Sequence, residues 1–239
     1  MPDTTVVAID VRNVQKDYRG LRPLRVRALE VREGESIALL GFDQAAAEVL
    51  VNLITAATVP DSGEIRIFGR PTTTIEDADT WLSSLDSFGI LSERAVLLDN
   101  MTVEENLTMP LTMALHDVDA AIRAKVETIA AEVGLSPGDM GRPVGALSSS
   151  ARLRLRLGRA LGPDPRIMLS EHPNALLDAD DVAAFAADYS RIVARRGVAS
   201  VMLDSRPGIR VRESRRRSST LQPATGELKP LSAWRRLFR

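Results

Sequence analysis

Residues 34–41 read Gly34-Glu35-Ser36-Ile37-Ala38-Leu39-Leu40-Gly41. A short apolar run without polar alternation, closed by glycine, is the pattern of a strand buried on both faces and ending in a turn. The next stretch, Ala45 to Ala56, reads as a helix. Strand, glycine turn and helix in that order describe the first unit of a sheet with helices packed on it.

The flanking sequence extends this unit in both directions. Upstream, Val6 to Val14 and Leu24 to Val31 alternate apolar and polar residues, as half-buried strands of an N-terminal sheet do. Downstream, Asp61-Ser62-Gly63-Glu64 is a turn signal leading into the strand and turn Ile65-Arg66-Ile67-Phe68-Gly69. Val118, Ile122, Val126, Ile129 and Val133 follow helical spacing, and Gly134 is placed to end that helix. Ile167 to Leu169 and Val198 to Leu203 read as buried strands, separated by a helix that carries Val182, Phe185, Ala186, Tyr189 and Val193. Strands alternating with helices imply an α/β fold with a parallel sheet covered on both faces.

Composition narrows the function classes. With 31 basic and 32 acidic residues, no overall field draws the chain to nucleic acid or to an anionic membrane. The lack of cysteine excludes disulfides, thiolate metal ligands and a cysteine nucleophile. No run of 18 apolar residues and no leader pattern is present, so attachment to a membrane is expected to come from a partner.

Five ordered stretches, GESIALLG (34–41), DSGEIRIFG (61–69), LLDNMTVEENLTMPL (97–111), LSSSARLRLRLGRAL (147–161) and PRIMLSEHPNALLD (165–178), resemble the ATP-binding cassette family of ABC transporters. The resemblance runs from about residue 5 to about residue 213 and is nearest in pattern to cassettes of lipid and lipoprotein exporters. It implies a P-loop NTPase-type cassette with a mostly parallel core sheet, an N-terminal antiparallel β-subdomain and a helical subdomain at about 78–160. A basic C-terminal tail over 214–239 is expected outside the core.

The resemblance also marks departures. A phosphate loop of the form G-x-x-x-x-G-K-[ST] curls its backbone N–H groups around phosphates, with lysine neutralising them and a hydroxyl holding magnesium. Here the stretch is Gly41-Phe42-Asp43-Gln44-Ala45-Ala46-Ala47-Glu48. Gln44 and Ala46 replace glycines, Ala47 replaces the lysine, and Glu48 replaces the serine or threonine. Asp43 and Glu48 set negative charge where a triphosphate would lie, and are expected to use the helix N-terminus in its place. Glu171 and His172 align on the Walker B carboxylates, Glu93 on the glutamine of the loop facing the membrane subunit, and Ser205 on the switch histidine.

Ser148 survives from the signature motif, while Ser149, Ser150 and Ala151 replace its two glycines and glutamine. The alternation Arg152-Leu153-Arg154-Leu155-Arg156-Leu157 is a strand pattern, yet Leu and Arg favour helix and the resemblance implies a helix. Tyr18 aligns where the family stacks a ring on adenine, and a half-buried strand-end tyrosine accounts for it equally; Asp178 aligns on the loop that crosses the cassette dimer.

These readings lead to one expectation and two rivals. The expectation is a catalytically degenerate cassette, a pseudo-ATPase on the inner, cytoplasmic face of a membrane, binding no metal and ATP with magnesium weakly or not at all. Its partners would be a transmembrane permease subunit, a second cassette as homo- or heterodimer, or both, and no nucleic acid. The permease is expected near Glu93 to Leu115, where Met109, Leu111 and Met113 offer adaptable apolar area. Leu231, Trp234 and Phe238 share one helical face beside arginines, which suits contact with a membrane surface or partner. The rivals are a divergent but working ATPase using Glu171 and His172, and a soluble scaffold no longer tied to transport.

Overall fold

The computed structural model describes residues 5–20, 22–75, 77–115, 117–205, 216–221 and 228–230. The strands are β1 (Val7–Lys16), β2 (Leu24–Arg32), β3 (Ser36–Leu40), β4 (Ser62–Ile67), β5 (Arg70–Pro71), β6 (Phe88–Leu91), β7 (Ile167–Glu171), β8 (Ala199–Asp204), β9 (Arg216–Leu221) and β10 (Leu228–Pro230). The α-helices are α1 (Gln44–Ile54), α2 (Ala78–Leu85), α3 (Val103–Thr108), α4 (Ala120–Val133), α5 (Ser149–Leu161) and α6 (Ala179–Arg196).

Two sheets organise these elements. One is antiparallel, in the order β2-β1-β4-β5, and the other runs β10-β9-β3-β8-β7-β6. Within the second, β3 pairs parallel to β8 and β9, β8 to β7, and β7 to β6. The period of two along each buried strand explains why both faces need cover. Ile167 and Leu169 of β7 join the cluster shared with α1 and the antiparallel sheet. Met168 between them joins the cluster formed with α4, α5 and α6. In β8, Val201 and Leu203 join the first cluster and Met202 the second.

The expected α/β architecture, with its parallel sheet, antiparallel sheet and helices, is present. Gly134 ends α4 in the left-handed region, at φ 78°, where a Cβ would be strained. The Arg-Leu alternation is helical over α5, with Leu153, Leu155 and Leu157 all buried because neighbours cover the helix on more than one side. Residues 78–160 also supply β6 to the parallel sheet.

One sequence reading requires correction. Residues 216–221 and 228–230, read as part of a tail outside the core, are strands: β9 pairs with β3 from Ser36↔Arg216 to Leu40↔Thr220, and β10 pairs with β9. The charged stretch carries no apolar run to announce a strand, and its place is set by backbone pairing along the edge of β3. The helical face of Leu231, Trp234 and Phe238 lies outside the described residues. Among the described residues, no helix is long and apolar enough to cross a membrane.

Candidate functional site

The site forms where β3, β6, β7 and β8 end and α1 begins, the crevice in which open parallel sheets place their ligands. Gly41 closes β3 in the left-handed region, at φ 87°. Its N–H and that of Phe42 both donate to the Asp204 carbonyl at the end of β8, at 2.9 and 3.2 Å. The Phe42 side chain turns inward and is fully buried in the cluster beneath the antiparallel sheet.

Helix α1 begins directly afterwards, at Gln44. Asp43 is its N-cap: the carboxylate accepts from Ala46 N–H at 2.8 Å, and the Asp43 carbonyl accepts from Ala47 N–H at 3.0 Å. A carboxylate at this position satisfies an otherwise unpaired donor and sits at the positive end of the helix dipole. The 44–47 segment is therefore the first helical turn and not an open curl. Ala46 and Ala47 are buried, Gln44 is exposed and Glu48 is half-buried on the next turn.

The second half of the site is built around Glu171, whose side chain is fully buried at the end of β7. Ser92 Oγ donates to its Oε2 at 2.5 Å, Arg94 Nε donates to the same oxygen at 3.1 Å, and Arg94 Nη2 donates to Oε1. The two guanidinium bonds are the parallel fork that makes arginine–carboxylate pairs strong and directional. Arg94 also reaches α1, with Nη1 3.3 Å from Glu48 Oε1. Its backbone N–H donates to Ser92 Oγ at 3.1 Å, so both residues close on one carboxylate. Hydrogen bonding to Glu171, together with the charges of Glu171 and Glu48, holds Arg94 protonated more firmly than an ordinary arginine.

The other residues singled out from the sequence lie around this pair or apart from it. His172 is buried in the left-handed region, at φ 44°, and its Nε2 makes no hydrogen bond to the described residues. Asn174, two residues on, donates to Asp204 Oδ2 at 2.5 Å and ties the end of β7 to that of β8. Ser205 and Glu93 are exposed. Tyr18 packs partly buried against the core, where burial and the charge of Asp43 push its phenol pKa up. Ser148 caps α5, its hydroxyl accepting from Ala151 N–H at 3.2 Å.

Sequence reading brings Glu48 and Glu171 to this site but misses Arg94, Ser92, Asn174 and Asp204. A signal for Arg94 is present: a site holding Asp43, Glu48 and Glu171, with no lysine at 47, needs a cation, and one stands next to Glu93.

The helix N-terminus thus holds the Asp43 carboxylate, residue 47 is a buried alanine, and Glu171 is occupied by the Arg94 guanidinium.

The family profile described as ABC transporter matches residues 24–175. An uncharacterized ABC transporter ATP-binding protein of Rhizobium meliloti is 31% identical over 202 residues, 84% of this chain and 72% of the relative. The lipoprotein-releasing system ATP-binding protein LolD of Chromohalobacter salexigens is 28% identical over 187 residues, 78% of each. The sulfate/thiosulfate import ATP-binding protein CysA of Synechococcus elongatus is 31% identical over 179 residues, and the matched region spans 75% of this chain but 50% of that relative. Among solved structures, cbiO1 of Clostridium perfringens, part of the ABC transporter complex cbiONQ, superposes with a TM-score of 0.78 at 16% identity, covering 94% of this chain and 87% of the other. A dimeric ATP-binding cassette bound to ADP and phosphate superposes with a TM-score of 0.73 at 21% identity, covering 92% and 96%.

Proposed function

The chain belongs to the ABC transporter family as an ATP-binding cassette, and from that premise we propose that it serves a transport complex as a structural or regulatory subunit without turning over ATP. One observation carries the reading. The stretch that in a phosphate loop would curl around an anion is here the first turn of α1, capped by the chain's own Asp43 carboxylate. An incoming phosphate would have to displace that carboxylate, with no lysine at 47 and with the Arg94 cation already engaged by Glu171 and Glu48.

A permease subunit, a second cassette or both are the partners that fit this reading, with the chain held at the inner face of the membrane through them. The dimeric solved cassette and the transport systems named among the relatives support such an assembly. Val96 and Met113, exposed within the 93–115 region, supply apolar area for a permease contact.

Two rivals are separated by direct assays. Purified protein is expected to release phosphate from MgATP no faster than buffer. Steady hydrolysis that disappears in His172→Ala would establish the working ATPase. Copurification with a membrane subunit from detergent extracts supports the transport assignment, and consistent recovery with cytosolic protein alone would establish the scaffold.

A further inference from the structure

We propose that Arg94 is the resident cation of this site and that it sets the 92–99 loop in place without any ligand. The inference takes from the proposed function only that no nucleotide complex organises the loop, and it assigns Arg94 as a positioning residue.

The loop leaves β6 and is braced from two sides. On one side, Ser92 and Arg94 direct three donors onto the buried Glu171 carboxylate, and Arg94 extends to Glu48 on α1. A carboxylate with no exposed side-chain surface carries a large desolvation cost unless a cation or several donors offset it, and here both come from this loop. On the other side, α5 lays a row of arginines along the same segment. Arg156 Nε donates to the Ala95 carbonyl at 3.3 Å, Arg159 Nη1 to the Val96 carbonyl at 2.6 Å, and Arg152 Nη2 to Asp99 Oδ1 at 2.6 Å. Asn106 closes the far end, accepting from Leu98 N–H at 3.0 Å and donating to the Leu98 carbonyl at 3.1 Å.

Held in this way, the loop presents Val96, 69% exposed, and Leu98, 38% exposed, on a backbone fixed by hydrogen bonds. Ser92 and Arg94 turn in to the chain's own glutamates and Leu97 into the core, while Val96 and Leu98 face outward. A loop tied through Glu171 and Glu48 is also tied to β7 and α1, so the same guanidinium links three elements. The chain's own cation thus performs the organising task that a bound ion would otherwise perform.

The test is amide hydrogen exchange on the full chain, comparing wild type with Arg94→Met. Exchange at Arg94 and Ala95, whose N–H groups bond to Ser92 within the loop, is expected to be about tenfold faster in the variant, with α5 unchanged. Arg94→Lys, a point charge without the fork, is expected to recover part of the protection. Adding MgATP to wild type is expected to leave loop exchange unchanged. Loop exchange in Arg94→Met within about twofold of wild type would overturn the proposal. Should that variant not fold, Arg94→Met with Glu171→Gln removes both charges together; a loop as protected as wild type in this double variant also overturns it. MgATP slowing exchange in wild type would count against the pseudo-ATPase reading alone and leaves the Arg94 comparison standing.

Discussion

Phe42→Ala is expected to lower the unfolding free energy by about 4 kcal/mol, measured by urea denaturation, within the range for truncating fully buried aromatic side chains. Phe42 has no exposed surface and packs with residues from α1, the antiparallel sheet and the parallel sheet. Its effect extends beyond volume. Phe42 stands between Gly41 and the N-cap Asp43, so its anchorage fixes where α1 starts and where the Asp43 carboxylate sits. The cavity left by alanine opens beside the Gly41 and Phe42 N–H groups that now bond to the Asp204 carbonyl. A loss below about 1 kcal/mol would mean that this turn is held by its hydrogen bonds and not by the buried ring.

The second large effect lies between α4 and α6. Glu132 is nearly buried, with its side chain 6% exposed, and is bonded by Arg195 and by the fork of Arg196. Burial works to raise its pKa, but the hydrogen bonds and charges of Arg196 and Arg195 prevail and hold it below the ordinary glutamate range. Because Arg195 is largely exposed, the lower end of the cost for breaking a buried pair applies, and Glu132→Gln is expected to lose about 3 kcal/mol near neutral pH. The folded pKa lies below the unfolded one. The contribution is therefore complete above the unfolded pKa, about 4.3, and is lost as pH falls through the folded pKa. Denaturation measured from about pH 7 to about pH 3 is expected to show the gap between variant and wild type closing on acidification. A gap that stays constant with pH would contradict the assignment.

Much of the fold was legible because its signals are local. The apolar run at 36–40, the alternation in β1 and β2, and the spacing of Val126, Ile129 and Val133 each state their periods within one element. The start of α1 was nearly legible too, since Asp43 before an alanine-rich stretch is an N-cap signal. The need for a cation was legible but the partners of Arg94 were not, because they lie 46 and 77 residues away and only the sheet order brings them together. The strand at 216–221 was hidden for a different reason. Arg216-Arg217-Ser218-Ser219-Thr220-Leu221 has the composition of a solvated segment, and pairing with β3 uses the backbone, which composition does not report.

The same contrast applies to the site. The missing lysine and hydroxyl could be read residue by residue at Ala47 and Glu48. The Asp43 cap could be read as well, because it is local, whereas the Arg94–Glu171 pair could not, because it joins two elements far apart in the chain. Under the proposed function, the chain's own charges stand where a cassette's ligand would.

Isothermal titration of the pure chain with MgATP tests that account most directly. It predicts heats equal to dilution up to about 1 mM nucleotide, whereas a saturable isotherm with Kd of about 10 µM or tighter would contradict it.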